Sequence, residues 1–230
     1  MPPVFIPSDV SDSSVVAVIA SARDLEDACA LSPGSFDICE LRIDLFQHLN
    51  SAKIVPSSVK LPTPVIVTVR DPAEGGAHGL SEEERIKLFK LWLPACNYID
   101  VELRNIDRFS ALIDEAESSG IKLIISFHDF QKTPNVSELN SKLSQASLHS
   151  DRIFKVATRV NDWSDIENLV YFLKGGKTNQ LAAMGMGSLG KLSRLILARL
   201  GSRLVYGCIA EEIAPGQWSV TKLRTLLREI

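Results

Sequence analysis

The chain has 230 residues, 45% of them hydrophobic and 23% charged, which is enough apolar material for one large core and argues against a disordered chain. Its 25 Lys and Arg against 28 Asp and Glu leave a formal net charge of -3, and no basic run with interleaved aromatics occurs, so a nucleic-acid groove is not indicated. The first residues lack a basic start and a long apolar stretch, and the apolar runs elsewhere are too short to cross a bilayer; a cytoplasmic protein without a membrane partner is the expectation.

In chain order, β-branched runs predict strands at 15–20, 36–44, 64–70, 98–103, 121–129, 152–160, 181–187 and 204–210. Helical periodicity fills the intervals at 22–31, 81–93, 106–119, 135–148, 162–174 and 189–200, and a last helix at 221–230 closes the chain. Only the second interval, 49–62, is poorly patterned. Strands separated by helices imply parallel pairing through right-handed crossovers, and eight such units at this length point to α/β architecture, a closed (β/α)8 TIM barrel forming one domain over 1–230.

In a barrel, the carboxyl ends of the strands face one mouth, where reaction sites are built. Glu40, Arg42 and Asp44 close the second strand, Arg70 the third, Glu102 the fourth, and His128 and Asp129 the fifth, while Lys155 lies in the sixth. Alternation by two puts Glu40, Arg42 and Asp44 on one strand face. Lys155 stands between Phe154 and Val156, where an isolated ammonium is too costly to keep without a gain. Burial lowers a lysine's affinity for its proton, and a neutral amine is the nucleophile that imine chemistry requires. The alternative, a lysine paired with a carboxylate at the rim, carries equal weight on spacing alone. His128, on the adjacent strand, tilts the balance, because a histidine near an imine can move protons at neutral pH. Glu74, in the RDPAEGG loop, is placed to orient that histidine, and Gly75 and Gly76 permit a tight turn or mobile loop behind it.

GMGSLGK, from Gly185 to Lys191, matches G-x-G-x-x-G, with Glu211 and Glu212 at the spacing of a ribose ligand. It follows the seventh strand instead of opening a doubly wound sheet, so it reads as a decoy, although the same glycines could hold a phosphate at a helix start. Arg194, one turn into that helix, is an alternative anion partner. APGQW at 214–218 is a turn before the last helix, and Gln217 gains interest because the loops after strands seven and eight line the mouth. Cys29, Cys39, Cys96 and Cys208 show neither CxxC nor Cys/His spacing, so buried reduced thiols are expected, and no metal site. Trp92, Trp163 and Trp218 are expected to pack, and His48, His78 and His149 receive no role.

Taken in series, Glu40-Leu-Arg42-Ile-Asp44, Thr68-Val-Arg70 with Glu74-Gly-Gly, Ser126-Phe-His128-Asp-Phe130 with Lys132-Thr-Pro, Lys155-Val-Ala, Met184-Gly-Met186 with Ser193-Arg194-Leu, and Ala214-Pro-Gly-Gln217 resemble type I 3-dehydroquinate dehydratase. The similarity runs from about residue 15 to the end. It implies a (β/α)8 fold, usually a homodimer, that dehydrates 3-dehydroquinate to 3-dehydroshikimate in the shikimate pathway without metal or cofactor. By position the resemblance makes Lys155 the imine-forming lysine, His128 the general acid/base and Glu74 its orienting partner. Glu40, Arg42 and Arg70 would hold ring hydroxyls, Arg194 and Gln217 would receive the substrate carboxylate, and Met184 and Met186 would pack against the ring. Two departures stand out: Ile213 replaces a common serine before the Ala-Pro-Gly-Gln run, and Tyr206 stands where phenylalanine is common. The competing readings are a class I aldolase-type barrel using the same lysine on phosphorylated sugars, and a non-catalytic barrel that serves as a binding module.

Overall fold

The computed structural model describes residues 13–46, 61, 63–146, 152–176 and 180–230. Among them, eight strands alternate with helices: β1 (Ser14–Ile19), α1 (Ala22–Ala30), β2 (Ile38–Arg42), α2 (Ile43–Phe46), β3 (Val65–Thr68), α3 (Glu82–Trp92), β4 (Tyr98–Glu102), α4 (Ser110–Ser118), β5 (Lys122–Asp129), α5 (Val136–Gln145), β6 (Ile153–Arg159), α6 (Trp163–Gly175), β7 (Leu181–Met186), α7 (Gly190–Arg199), β8 (Leu204–Cys208) and α8 (Val220–Glu229). Five of the helices start at side-chain caps. Ser81 and Asn135 form capping boxes with Glu84 and Glu138, and the Ser21, Asp162 and Ser219 side chains accept from the first turns of α1, α6 and α8.

All seven strand ladders are parallel, in the order β7-β6-β5-β4-β3-β2-β1-β8. The β7–β8 seam has no ladder; there the Arg203 N–H donates to Leu181 O at 2.8 Å, and the buried Ser202 Oγ accepts from Ala183 N at 2.9 Å. The result is a nearly closed barrel, the (β/α)8 architecture that the alternating pattern predicts.

Two apolar layers follow from strand alternation. One set of side chains packs outward under the helices, where Phe89 and Trp92 of α3 and Phe172 of α6 are buried; each contributes roughly 2–3 kcal/mol by leaving water. The inward set begins with Val16, Ile38, Ile66, Tyr98, Ile124, Ile153, Ala182 and Leu204, which plug the lower barrel. Two residues further along each strand the inward positions become Val18, Glu40, Thr68, Asp100, Ser126, Lys155, Met184 and Tyr206, so the core turns polar toward the mouth. The plug keeps water from below, and the charges above it must satisfy one another.

Several expectations change. The second strand ends at Arg42, and Asp44 lies in the first turn of α2, not on the strand face it was predicted to share with Glu40. Its carboxylate turns back to grip Arg42, with bonds of 3.0 and 2.8 Å, because a buried carboxylate needs that partner. Cys39, Cys96 and Cys208 are buried as expected, but Cys29 is exposed, on the outward side of α1. Burial pushes the Cys39 and Cys96 thiols up to about 12. Trp92 packs in the core and Trp218 against it, whereas Trp163, the first residue of α6, is 60% exposed. Most of the poorly patterned interval, together with His48 and His149, lies outside the described residues; His78 is exposed. Among the described residues no helix is long and apolar enough to cross a membrane.

Candidate active site

The mouth opens on a pocket of about 640 Å³, counting the space that merges with solvent. Every site residue proposed from the sequence lines it: Glu40, Arg42, Arg70, Glu74, His128, Lys155, Met184, Met186, Arg194 and Gln217, joined by Tyr206 and Ile213. They come from six strands or the loops after them and from α7, and converge only through barrel closure.

Lys155 is buried on β6, and register pairs it with Ser126 of β5, one strand over, while His128 pairs with Ala157. The ammonium is not isolated. Its Nζ lies 2.5 Å from Asp100 Oδ2, 3.8 Å from a Glu40 oxygen, and 4.6 Å from the centre of the Tyr206 ring. The lysine therefore lines the pocket and is ion-paired, with the carboxylate partner that one of the two readings expects.

Glu74 sits in a 3-10 turn, Pro72–Glu74, opened by the Asp71 side chain and ended by Gly75 at φ 84°. Gly76 follows with no room for a side chain: a Cβ there would lie 2.0 Å from Arg70 O. The turn delivers one carboxylate oxygen, Oε2, to both the backbone N–H and the Nδ1 of His128, each at 2.9 Å. Burial raises Glu74 to about 7, against the opposing pull of Arg70. Burial, reinforced by the charges of Arg70 and Lys155, holds His128 well below the usual histidine range, so its ring is neutral. A neutral imidazole that donates Nδ1–H to Glu74 keeps its other nitrogen as a base.

Beneath the pocket runs a buried row of alternating charge. Arg85 of α3 donates to Glu102 at 2.6 Å; Glu102 accepts from Arg70 Nη1 at 2.9 Å; the same Nη1 donates to Asp100 Oδ1 at 3.0 Å; and Asp100 meets Lys155. Ser126 Oγ donates to Asp100 Oδ1 at 2.6 Å. Asp71, which begins the Glu74 turn, is held by Arg85, by Asn105 and, through its N–H, by Glu102. Asp100 is not among the residues predicted from the sequence. Its signal was available: in Tyr98-Ile-Asp100-Val-Glu102 it is an acid within a buried strand, two residues from Glu102, the same alternation that singled out Glu40 and Arg42.

Arg42 lines the pocket but its bonds run to Asp44 and, at 3.2 Å, to Gly75 O, so it clamps the Glu74 loop. Arg194 is buried and, among the described residues, forms no ion pair: Nε donates to Gly216 O at 2.8 Å and Nη1 to Tyr206 O at 3.3 Å. Burial, opposed by the charge of Glu212, lowers it to about 10, still charged at neutral pH, so a buried cation faces the pocket. Gln217 Oε1 accepts from the N–H groups of Ile213 and Ala214, which fixes the loop after β8. Glu212 bonds Lys191 and Gly216 N, bracing that loop rather than facing a ribose. The glycines of GMGSLGK serve close packing: a Cβ on Gly185 would meet Ser193 Oγ at 2.3 Å, and one on Gly190 would press on Gly216 at 3.1 Å. The start of α7 is covered by the 214–217 loop, which leaves the phosphate reading without a cradle.

Residues 15–230 match the family model for type I 3-dehydroquinase. The chain is 33% identical over 216 residues to a 3-dehydroquinate dehydratase of Methanocella arvoryzae, covering 93% of this chain and 95% of the relative. It is 34% identical over 224 residues to that of Methanococcus vannielii, covering 96% and 97%. Among solved structures, a type I 3-dehydroquinate dehydratase from Clostridium difficile, carrying covalently modified comenic acid, superposes with a TM-score of 0.81 at 27% identity, over 95% of this chain and 92% of that one. With the family model spanning nearly the whole chain, and with relatives above 30% identity aligned end to end, the chain belongs to the type I 3-dehydroquinase family.

Proposed function

We propose that this protein is a 3-dehydroquinate dehydratase of the shikimate pathway, a hydro-lyase that works through an imine on Lys155. The observation that carries the reading is one pocket holding a buried lysine, a neutral histidine on the neighbouring strand, and a glutamate bonded to that histidine. Condensation of the substrate ketone with Lys155 gives an iminium that serves as electron sink. His128 removes the adjacent proton to form an enamine and returns it to the departing hydroxyl; water then frees the lysine. Glu74 orients His128. Glu40 and Arg70 hold ring hydroxyls, Arg42 shapes that polar side by fixing the Glu74 loop, and Met184 and Met186 pack against the ring. Arg194, charged and forming no ion pair among the described residues, receives the substrate carboxylate together with Gln217. No cofactor or metal enters this scheme.

Residues 1–230 act in this reading as one catalytic domain. The protein is proposed to be a cytoplasmic homodimer with a small-molecule substrate and neither nucleic acid nor membrane as partner. Four free cysteines support a reducing compartment, and light scattering checks the dimer.

The test is borohydride reduction in the presence of 3-dehydroquinate, alongside the absorbance of the conjugated product. A substrate-sized mass increase on Lys155, lost together with all turnover in a folded Lys155→Ala variant, is the expected result. Absence of that adduct with the wild-type protein would falsify the imine route.

A further inference from the structure

Asp100 has both oxygens occupied, yet only one of them by scaffold. Oδ1 accepts from Arg70 Nη1 at 3.0 Å and from Ser126 Oγ at 2.6 Å, groups themselves held in place, Arg70 by Glu102 behind it. Oδ2 is left for one partner, the Lys155 nitrogen at 2.5 Å. Glu40, the other acid near that nitrogen, is 3.8 Å away and takes a bond from Thr68. The ring of Tyr206 lies 4.6 Å from the nitrogen, so an anion and an aromatic ring both contact it.

Building on the imine reading above, we propose that Asp100 is a catalytic residue, the fixed counter-ion that holds the Lys155 nitrogen and then pairs with the iminium formed on it. The balance of the step explains why a fixed anion suits this position. An ammonium and a ketone give an iminium and water: the nitrogen carries three hydrogens before and one after, two leave with the carbonyl oxygen as water, and the charge stays at +1. The nitrogen is therefore cationic at both ends of the condensation, and an anion that does not move is matched to both. Only the neutral amine and the carbinolamine between them lack the charge; it returns to the nitrogen as the carbinolamine expels water, and that is the step the fixed anion speeds. A group that took up the proton for good would lose this match. Burial opposes the charge on Asp100, but Arg70 and Lys155 outweigh burial and hold its carboxyl well below the usual carboxylate range, so it remains the anion throughout. Such preorganised charge, kept dry by the apolar plug below, acts without reorganising during the reaction.

The experiment measures the rate of borohydride capture of 3-dehydroquinate on Lys155 in wild type and in Asp100→Asn, a substitution of nearly equal shape that keeps an oxygen for Arg70 and Ser126. Capture is expected to slow at least tenfold while the variant keeps its circular dichroism spectrum and its KM stays within about threefold, since the charged hydrogen bond lost acts on the nitrogen rather than on substrate binding. In a His128→Ala background, where imine is expected to accumulate, adding Asp100→Asn should slow that accumulation by a similar factor. If the Asn variant does not fold, Asp100→Glu, which keeps the charge but displaces the oxygen, takes its place with at least a fivefold loss expected. Capture at the wild-type rate in the folded variant, or a loss confined to KM, overturns the assignment. Lack of capture in wild type would instead overturn the imine reading itself, so the two failures are separable.

Discussion

Glu74 and His128 are joined twice through a single oxygen: Oε2 of the glutamate lies 2.9 Å from the backbone nitrogen of the histidine and 2.9 Å from its Nδ1. The backbone bond fixes where the carboxylate sits, and the ring bond sets which nitrogen of the imidazole carries hydrogen. Because burial raises Glu74 to about 7, this arrangement changes within the physiological range. Below about pH 7 the glutamate is protonated and can donate to Nδ1, which moves the ring hydrogen to the other nitrogen and removes the base. Above it the carboxylate accepts from Nδ1–H, and the other nitrogen is free to take the substrate proton. The expected kcat/KM of the free enzyme therefore rises through pH 7 and levels off above it. Glu74→Gln should remove that inflection and lower the plateau by roughly 10²-fold. A pH–rate profile of both proteins checks this; an unchanged inflection in the variant would assign it to another group.

The same shift has a consequence for stability. A carboxylic acid with a folded value near 7 and an ordinary value of 4.5 is favoured by folding in its protonated form. Its contribution is fully present below pH 4.5 and is lost as pH rises through 7, an amount on the order of 3 kcal/mol. Glu74→Gln, which cannot ionise, should unfold at a higher temperature than wild type at pH 8 and show less advantage at pH 5. Calorimetry at the two pH values reads the difference, and a variant less stable than wild type at pH 8 would contradict it.

Removing the histidine separates the two halves of the reaction. His128→Ala leaves Lys155, Asp100 and the pocket floor intact, because His128 contributes its ring only at the mouth end of β5. Imine formation should persist, seen as a reduced adduct on Lys155, while turnover falls by about 10³-fold for want of an acid and base. Near-normal turnover would remove His128 from the proton transfer.

How far these expectations were legible in the sequence depended on whether a residue's role is set by its own strand or by its neighbours in space. Lys155, His128 and Arg70 could be read because each breaks an apolar run, and strand alternation then aims it inward. The barrel could be read because eight such runs recur with helices between them. Asp100 is hidden because Tyr98-Ile-Asp-Val-Glu reads as a strand with a charged end, and nothing within that segment shows that β4 and β6 bring it against Lys155 across an intervening strand. Arg85 was equally hidden, as a cation on a charged helix whose tip enters the core to meet Glu102. The Asp44 turn is hidden for a related reason: the strand stops two residues short of its pattern, where Arg42 and Asp44 pair with each other.

Arg194 and Ile213 together make a prediction about substrate affinity. Arg194 is a buried cation with two carbonyl partners, and Ile213 lines the same pocket where its side chain offers no hydrogen bond. An anion contact made equally in ground and transition states is lost in Arg194→Ala, so KM should rise about 10- to 100-fold with kcat changed little. Ile213→Ser should act in the opposite direction, lowering KM by up to about tenfold through one added donor. Steady-state kinetics of both variants checks the pair, and an unchanged KM in the Arg194 variant would move the carboxylate elsewhere.

Gly76 tests whether the loop geometry, and not only the residues it carries, makes the site. Its N–H donates to Asp71 O at 2.9 Å, which closes the turn that presents Glu74, and a Cβ at this position would lie 2.0 Å from Arg70 O and 2.6 Å from Arg70 C. Both are backbone atoms, so no rotamer change relieves the clash; either the turn opens or Arg70 moves. Arg70 is the centre of the buried charge row and cannot shift without unpairing Glu102 and Asp100, each of which is inaccessible to water. In Gly76→Ala the turn should therefore yield, at a cost of about 3 kcal/mol in stability. Once the turn opens, Glu74 no longer reaches both nitrogens of His128, and the inflection in kcat/KM near pH 7 should disappear although Glu74 and His128 are both still present. Borohydride capture on Lys155 should survive in the same variant, because Asp100 and Lys155 lie on β4 and β6, away from the loop. Measuring the two signals on one protein separates loop geometry from general damage: loss of both would mean the charge row yielded first, and retention of the inflection would mean that the turn does not set the pairing.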